Sequence, residues 1–79
     1  MLEGLNESAL VGTKQVLKAA AAGRLSRVYL AEDVDAFLSN KLLTVCRENG
    51  VEVITVPTMR ELGAACNIDV GAACAGLLK

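Results

Sequence analysis

Apolar and polar residues recur along this chain with two different periods, and these periods predict alternating helices and strands. The clearest helical period lies between Asp35 and Gly50, where Leu38, Leu42 and Val45 repeat at spacings of four and three residues. Polar side chains occupy the other side of this segment. Asp35 is a good N-cap and Gly50 a common residue after a helix, so the pattern predicts one amphipathic helix between them.

The flanking residues define the other elements. Gly23 is typical of a helix end, Pro57 ends an apolar run, and Thr58 with Glu61 forms a capping box that begins a helix. The remaining predicted elements are a short helix over 2–10, a helix over 13–22, strands over 27–31 and 51–56, and a helix from 58 to 65 or 66. The small residues of the tail, 70–78, fit either a buried strand or a short buried helix. Strands that alternate with helices predict an α/β fold, a three-layer α/β/α sandwich.

Size and composition indicate one domain over residues 1–79. A hydrophobic content of 53% is ample for a core, and much of it is alanine and valine. Tyr29 and Phe37 are the only aromatic residues. The chain therefore lacks the row of aromatic side chains on which single-strand binders stack several bases.

Charge is distributed unevenly although the net charge is only −1. One basic segment without an intervening acid contains Lys14, Lys18, Arg24 and Arg27, and an acidic cluster of Glu32, Asp33 and Asp35 follows it. A locally basic face on a nearly neutral protein permits a specific RNA contact but argues against strong nonspecific binding. The acidic cluster could hold Mg²⁺, but a solvated turn followed by a helix cap is the favoured interpretation.

The cysteines do not form a recognisable site. Cys46, Cys66 and Cys74 are widely spaced, and the chain has no histidine to complete a zinc site or to activate a thiol. Reduced thiols, the lack of a signal pattern and the lack of a long apolar run predict a cytoplasmic protein without membrane contact. We find no set of catalytic residues and expect no enzyme activity, no cofactor and no metal.

A glycine followed by polar and basic residues is the most distinctive local feature. Gly12 precedes a predicted helix whose first turns carry Lys14, Gln15 and Lys18. Helix starts offer unpaired N–H groups and a partial positive charge, which suit an anion or a nucleic acid. The segment lacks the glycine spacing and the hydroxyl of a phosphate loop, so nucleotide hydrolysis is disfavoured. An ordinary solvated helix start is the alternative.

Three segments together resemble a known family. The segments are Gly12-Thr13-Lys14-Gln15-Val16-Leu17-Lys18, Ala31-Glu32-Asp33-Val34-Asp35 and Leu62-Gly63-Ala64-Ala65-Cys66-Asn67-Ile68-Asp69-Val70. Their order and spacing resemble the signature blocks of the ribosomal-protein L-seven-Ae family, closest to its small bacterial members of the YbxF and YlxQ type. The resemblance implies a sandwich with a small four-stranded mixed sheet, in which the tail is a strand. It also implies binding of kink-turns, bent RNA elements with tandem sheared G·A pairs beside a three-nucleotide bulge.

The resemblance assigns roles to particular residues. The backbone of Gly12 and Thr13 and the side chains of Lys14 and Gln15 would contact the sheared G·A pairs. Lys18 would hold a phosphate or a guanine edge, and Asp35 would lie near the bulge. The loop residues Ile68, Asp69 and Val70 would cover the bulged nucleotides.

Two positions depart from the archaeal and eukaryotic pattern of the family. Lys14-Gln15 stands where those members carry Asn-Glu, and neutral Gln15 would accept weaker hydrogen bonds than glutamate. Asn67 replaces a frequent glycine, but asparagine tolerates a left-handed backbone. We therefore expect kink-turn binding that is weaker or more selective than in those members. The expected protein is monomeric and cytoplasmic, with ribosomal RNA among its candidate RNA partners and DNA excluded. A protein-assembly module that has lost RNA affinity remains the alternative.

Overall fold

The fold consists of strands and helices that alternate along the chain. The structure, a computed structural model, describes residues 9–79. Its elements are β1 (Ala9–Val11), α1 (Thr13–Ala21), β2 (Leu25–Ala31), α2 (Ala36–Glu48), β3 (Glu52–Val56), α3 (Met59–Ala65) and β4 (Cys74–Leu78). No helix within residues 9–79 has the length and apolar character needed to cross a membrane.

The strands form one mixed sheet in the order β1-β4-β2-β3. β2 and β3 are parallel, whereas β4 is antiparallel to both β1 and β2. Consequently β1, β2 and β3 end, and β4 begins, at the same end of the sheet. We call this the carboxyl end; the loops that leave it are the ones that can form a common surface.

Helices cover both faces of the sheet, as predicted. Side chains of a strand point alternately to its two faces. Val28 and Leu30 of β2 pack in a core with α1 and α2, whereas Tyr29 and Ala31 pack in a second core with α3. The expected three-layer α/β/α sandwich with a four-stranded mixed sheet is therefore confirmed.

The tail is a strand because its small residues suit the sheet's interior. β4 lies between β1 and β2; Cys74 and Ala75 are fully buried, and Gly76 is buried as well. A Cβ on Gly76 would lie 2.7 Å from a methyl group of Leu25, so only glycine fits without a shift of that side chain. The absence of a side chain at Gly76 thus makes room for Leu25 of the neighbouring strand.

Two sequence predictions need correction. The helix predicted for residues 2–10 is wrong at its end, because Ala9–Val11 forms β1 and pairs with β4; residues 1–8 lie outside the described residues. The first predicted strand begins earlier, at Leu25, since Leu25 fills the core below α1. The helix boundaries at Thr13, Asp35 and Thr58 are confirmed.

The two predicted polar caps form in the structure. Asp35 Oδ1 accepts a hydrogen bond from the Leu38 N–H at 2.9 Å, and Thr58 Oγ1 accepts one from the Glu61 N–H at 3.1 Å. Among residues 9–79, the returning bond of the capping box, from the Thr58 N–H to the Glu61 carboxylate, does not form. Thr58 thus caps α3 through its hydroxyl alone.

Candidate nucleic-acid interface

The start of α1 leaves its backbone donors accessible. Gly12 is the N-cap with φ of 112°, a left-handed conformation that favours glycine, and it brings no capping side chain. Its carbonyl accepts the Val16 N–H at 3.0 Å. The first-turn N–H groups that precede Val16 have no intrahelical acceptor, which is general for helix starts. Lys14 and Gln15 beside them are exposed.

The start of β4 fixes this helix start in the sheet. The Gly12 N–H donates to the carbonyl of Cys74 at 3.3 Å, so the bonding between β1 and β4 continues one residue beyond β1. The Thr13 side chain lies near the buried Cys74 thiol, on whose pKa it has a lowering effect. The bond from Gly12 holds the first residues of α1 at the carboxyl end of the sheet.

The residues just before β4 join two further segments. The Ala31 N–H, at the end of β2, donates to the carbonyl of Ala73 at 2.9 Å. The Ala72 N–H donates to the carbonyl of Met59, in the first turn of α3, also at 2.9 Å. The third segment singled out by the sequence leads directly into Ala72, Ala73 and Cys74. These residues are bonded to the start of α1, to the end of β2 and to the start of α3, so the three segments meet at the carboxyl end of the sheet.

The acidic segment after β2 is a turn whose carboxylates accept backbone N–H groups. The Glu32 N–H donates to the carbonyl of Val56 at 2.8 Å. Asp33 Oδ1 accepts the Met59 N–H at 2.8 Å, and Asp35 caps α2. These bonds agree with a turn and a helix cap, the favoured interpretation of the acidic cluster.

The loop after α3, residues 66–71, exposes apolar side chains. Asn67 takes the left-handed conformation, φ 63°, as its position at a helix end predicted. The next N–H, of Ile68, donates to the Gly63 carbonyl at 3.1 Å and folds the loop back onto α3. Ile68 is 37% exposed and Val70 is 70% exposed, so they extend away from the core with Asp69 exposed between them. The loop thus presents two apolar side chains to solvent.

The structure spreads the basic segment along α1 and into β2. Lys14 and Lys18 lie on α1, with Lys14 at the carboxyl end of the sheet. Arg24 precedes β2 at the opposite end, and Arg27 of β2 is paired across the strands with Glu52 at 3.0 Å. Lys14 and Arg24 therefore lie at opposite ends of the sheet, whereas Lys18, in the last turn of α1, lies between them.

Burial keeps the thiols neutral. Desolvation raises the pKa of Cys46, Cys66 and Cys74, and the nearby Thr13 side chain offsets only part of this effect at Cys74. Cys46 and Cys74 are fully buried. A neutral, buried thiol is a poor nucleophile, so these residues act as core side chains.

Two features that shape this surface had no role assigned to them from the sequence. Gly63 is buried, and a Cβ there would overlap the carbonyl oxygen of Val70; a glycine inside a predicted helix was the available signal. The link from Asp33 to Met59 joins residues far apart in the chain, and the sequence carries no signal for it.

Known proteins are similar to this chain in sequence and in fold. Residues 6–79 match the model of the family described as ribosomal protein L7Ae/L30e/S12e/Gadd45. An RNA-binding protein of Caldanaerobacter subterraneus is 40% identical over 75 residues, which cover 95% of this chain and 92% of the relative. The RNA-binding protein YbxF of Geobacillus stearothermophilus is 39% identical over 70 residues, which cover 89% of this chain and 85% of that protein.

Solved structures agree with the fold. The 15.5 kD RNA-binding protein of Giardia lamblia superposes with a TM-score of 0.86 at 27% identity over 92% of this chain. The chain spans 62% of the length of that protein. A Bacillus halodurans protein described as of unknown function superposes with a TM-score of 0.83 at 28% identity, covering 91% of this chain and 72% of its own.

Proposed function

The chain belongs to the ribosomal protein L7Ae/L30e/S12e/Gadd45 family, and we propose that it is a non-enzymatic RNA-binding protein that recognises kink-turns. The observation that carries the proposal is the meeting of three segments at the carboxyl end of the sheet: the start of α1, the turn 32–35 and the loop 66–71. Its relatives from Caldanaerobacter and Geobacillus are named RNA-binding proteins, which supports an RNA partner.

The start of α1 suits the edges of bases. In ordinary A-form RNA the major-groove edges lie in a deep, narrow groove, but a sharp bend with non-Watson–Crick pairs exposes them. Lys14 can donate to the O6 and N7 acceptors of guanine, and Gln15 can both donate and accept. Because Gly12 has no side chain, an RNA strand can approach the backbone donors closely; even a Cβ built there has no protein atom within 4 Å.

The loop 66–71 suits nucleotides that have left the base stack. Ile68 and Val70 are exposed on a loop that is tied back to α3, so they present an apolar surface without first having to fold. An unstacked base has an apolar face that is costly to leave in water. We assign this loop to the bulged nucleotides, with Asp35 at the side of the bulge.

The charge distribution favours selective over general binding. The net charge is −1, and of the four residues in the basic segment only Lys14 and Lys18 lie on α1. A protein with so few phosphate contacts gains little from counterion release, so its affinity must come from the shape and base edges of its target. This argues for a structured RNA, such as ribosomal RNA, and against a general binder of DNA.

A mapping experiment tests where RNA binds. A kink-turn RNA is titrated into ¹⁵N-labelled protein while the amide resonances are followed. We expect the largest shifts at the start of α1, in the turn 32–35 and in the loop 66–71. Gly23, Arg24 and Gly50 at the opposite end of the sheet serve as internal controls and should shift little. Largest shifts at that opposite end would contradict the assigned surface.

A further inference from the structure

We propose that the Asp33 carboxylate is a positioning residue, which sets the place of the loop 66–71 relative to the turn 32–35 through the backbone of Met59. The inference rests on the proposed function for its effect on RNA binding. The coupling between the turn 32–35 and the loop 66–71, however, is a property of the free protein. The proposal concerns a residue without an assigned RNA contact.

Asp33 and Met59 belong to different segments. Asp33 lies between β2 and α2, Met59 is the first residue of α3, and 26 positions separate them. Asp33 Oδ1 accepts the Met59 N–H at 2.8 Å. Since a first-turn N–H has no acceptor inside its own helix, this bond competes with no bond of α3.

Met59 also contacts the residues at the end of the loop 66–71. Its carbonyl accepts the Ala72 N–H at 2.9 Å, and a Cβ built on Gly71 would lie 3.1 Å from the Met59 Cβ. Residues 71 and 72 are thus packed against the residue that Asp33 holds. The route from Asp33 through Met59 to Ala72 connects the turn 32–35 to the base of the loop that carries Ile68 and Val70.

Capping of α3 does not require Asp33. Thr58 already accepts the Glu61 N–H at 3.1 Å, and it supplies the local cap from within the same segment. The bond from Asp33 comes from another element, so its loss releases the start of α3 from the turn. The loop would then populate more positions, and only a fraction of molecules would be ready to bind. A reduced competent fraction weakens the apparent affinity in proportion.

Three substitutions separate positioning from capping. Asp33→Ala removes the acceptor, Asp33→Asn keeps an oxygen acceptor without the charge, and Thr58→Ala removes the local cap but leaves the link. Amide hydrogen exchange of Ala72 is measured in the free proteins, and association and dissociation rates are measured with a kink-turn RNA. We expect Asp33→Ala to speed exchange at Ala72 and to slow association about three- to tenfold, the scale of one lost hydrogen bond. Asp33→Asn should keep both values close to those of the unmodified protein. Thr58→Ala should change them less than Asp33→Ala does.

If Asp33→Ala folds poorly, the same hydrogen bond can be removed at its donor, the Met59 N–H. Met59→Pro removes the N–H, and proline is well suited to the first position of a helix. Thr58 has φ −139° and ψ 156°, a conformation that tolerates a following proline. Met59→Ala, which keeps the N–H, controls for the lost side chain. Compared with Met59→Ala, Met59→Pro should speed exchange at Ala72 and slow RNA association as Asp33→Ala does. Combining Met59→Pro with Asp33→Ala should give no further change.

The outcomes distinguish this inference from the proposed function. Unchanged exchange at Ala72 in Asp33→Ala, or equal loss of RNA affinity in Asp33→Ala and Thr58→Ala, would overturn the positioning role. If the unmodified protein does not prefer a kink-turn, the proposed function fails. Hydrogen exchange of Ala72 in the free protein then still decides whether the turn 32–35 and the loop 66–71 are coupled.

Discussion

The Cα of Gly63 lies against the carbonyl oxygen of Val70, so close that a Cβ atom on residue 63 would overlap this oxygen. Gly63 is inside α3, where glycine ordinarily costs about 1 kcal/mol relative to alanine. Here the absence of a side chain lets the loop 66–71 pack directly on the helix. The position of the exposed Ile68 and Val70 therefore depends on a buried glycine.

Gly63→Ala should destabilise the protein, although alanine is the better helix former. Backbone would have to move to admit the methyl group, and overpacking of this kind costs about 1–3 kcal/mol. Urea denaturation measures the change in the free energy of unfolding. Ala64→Ser, at the exposed neighbouring position, is the control and should change stability little. A Gly63→Ala variant as stable as the parent would show that the loop is not held by this contact.

Lys14→Ala and Lys18→Ala should each weaken binding of a kink-turn RNA. A good contact to a base edge is worth about 1–3 kcal/mol, whereas loss of a phosphate contact reduces the salt dependence by about one unit of slope. Titrations at several salt concentrations distinguish the two kinds of contact. Arg24→Ala is the matched control, because Arg24 is exposed and basic but lies at the opposite end of the sheet. An equal loss for all three variants would indicate nonspecific attraction.

Asn67 should tolerate glycine but not alanine. Its φ of 63° costs a residue with a Cβ roughly 1–2 kcal/mol, and asparagine reduces this cost through local hydrogen bonding. We expect Asn67→Ala to lower stability by about 1 kcal/mol and Asn67→Gly to be nearly neutral. Thermal unfolding of the two variants provides the measurement. Equal stability of Asn67→Ala and Asn67→Gly would contradict the left-handed conformation.

The stability of the protein should fall at alkaline pH because of its buried thiols. Burial raises the pKa of Cys46 and Cys74 in the folded state, so the unfolded chain loses these protons at lower pH than the folded protein does. Their contribution is complete below the unfolded pKa, about 8.5, and is lost as pH rises from there through the folded pKa. Urea denaturation between pH 7 and 10 under reducing conditions should show this decline. Cys74→Ala should flatten it, and an unchanged slope would argue against the shift at Cys74.

Local patterns predicted most of the fold because each boundary has a nearby chemical cause. Asp35 and Thr58 precede helices and supply oxygen acceptors that N–H groups three residues later use. The tail was ambiguous because small residues suit a strand and a helix equally. Its assignment depends on pairing with β1 and β2, which lie far away in sequence.

The candidate site was predictable in its segments but not in its connections. Gly12 and Asn67 are of residue types that favour a positive φ, and both adopt one in the structure. By contrast, Arg24 follows the lysines of α1 closely in sequence, yet the helix carries it to the opposite end of the sheet. The bond between Asp33 and Met59 depends on the order of the strands, which local periodicity does not determine.

The measurement that tests the central claim most directly is a paired titration of the unmodified protein. One RNA carries a kink-turn, and the other is a copy in which Watson–Crick pairs replace the tandem G·A pairs, so length and charge are unchanged. If the protein contacts exposed base edges and the bulge, the kink-turn should bind at least about tenfold more tightly, the effect of one good base-edge contact. Equal affinity for the two RNAs would contradict kink-turn recognition.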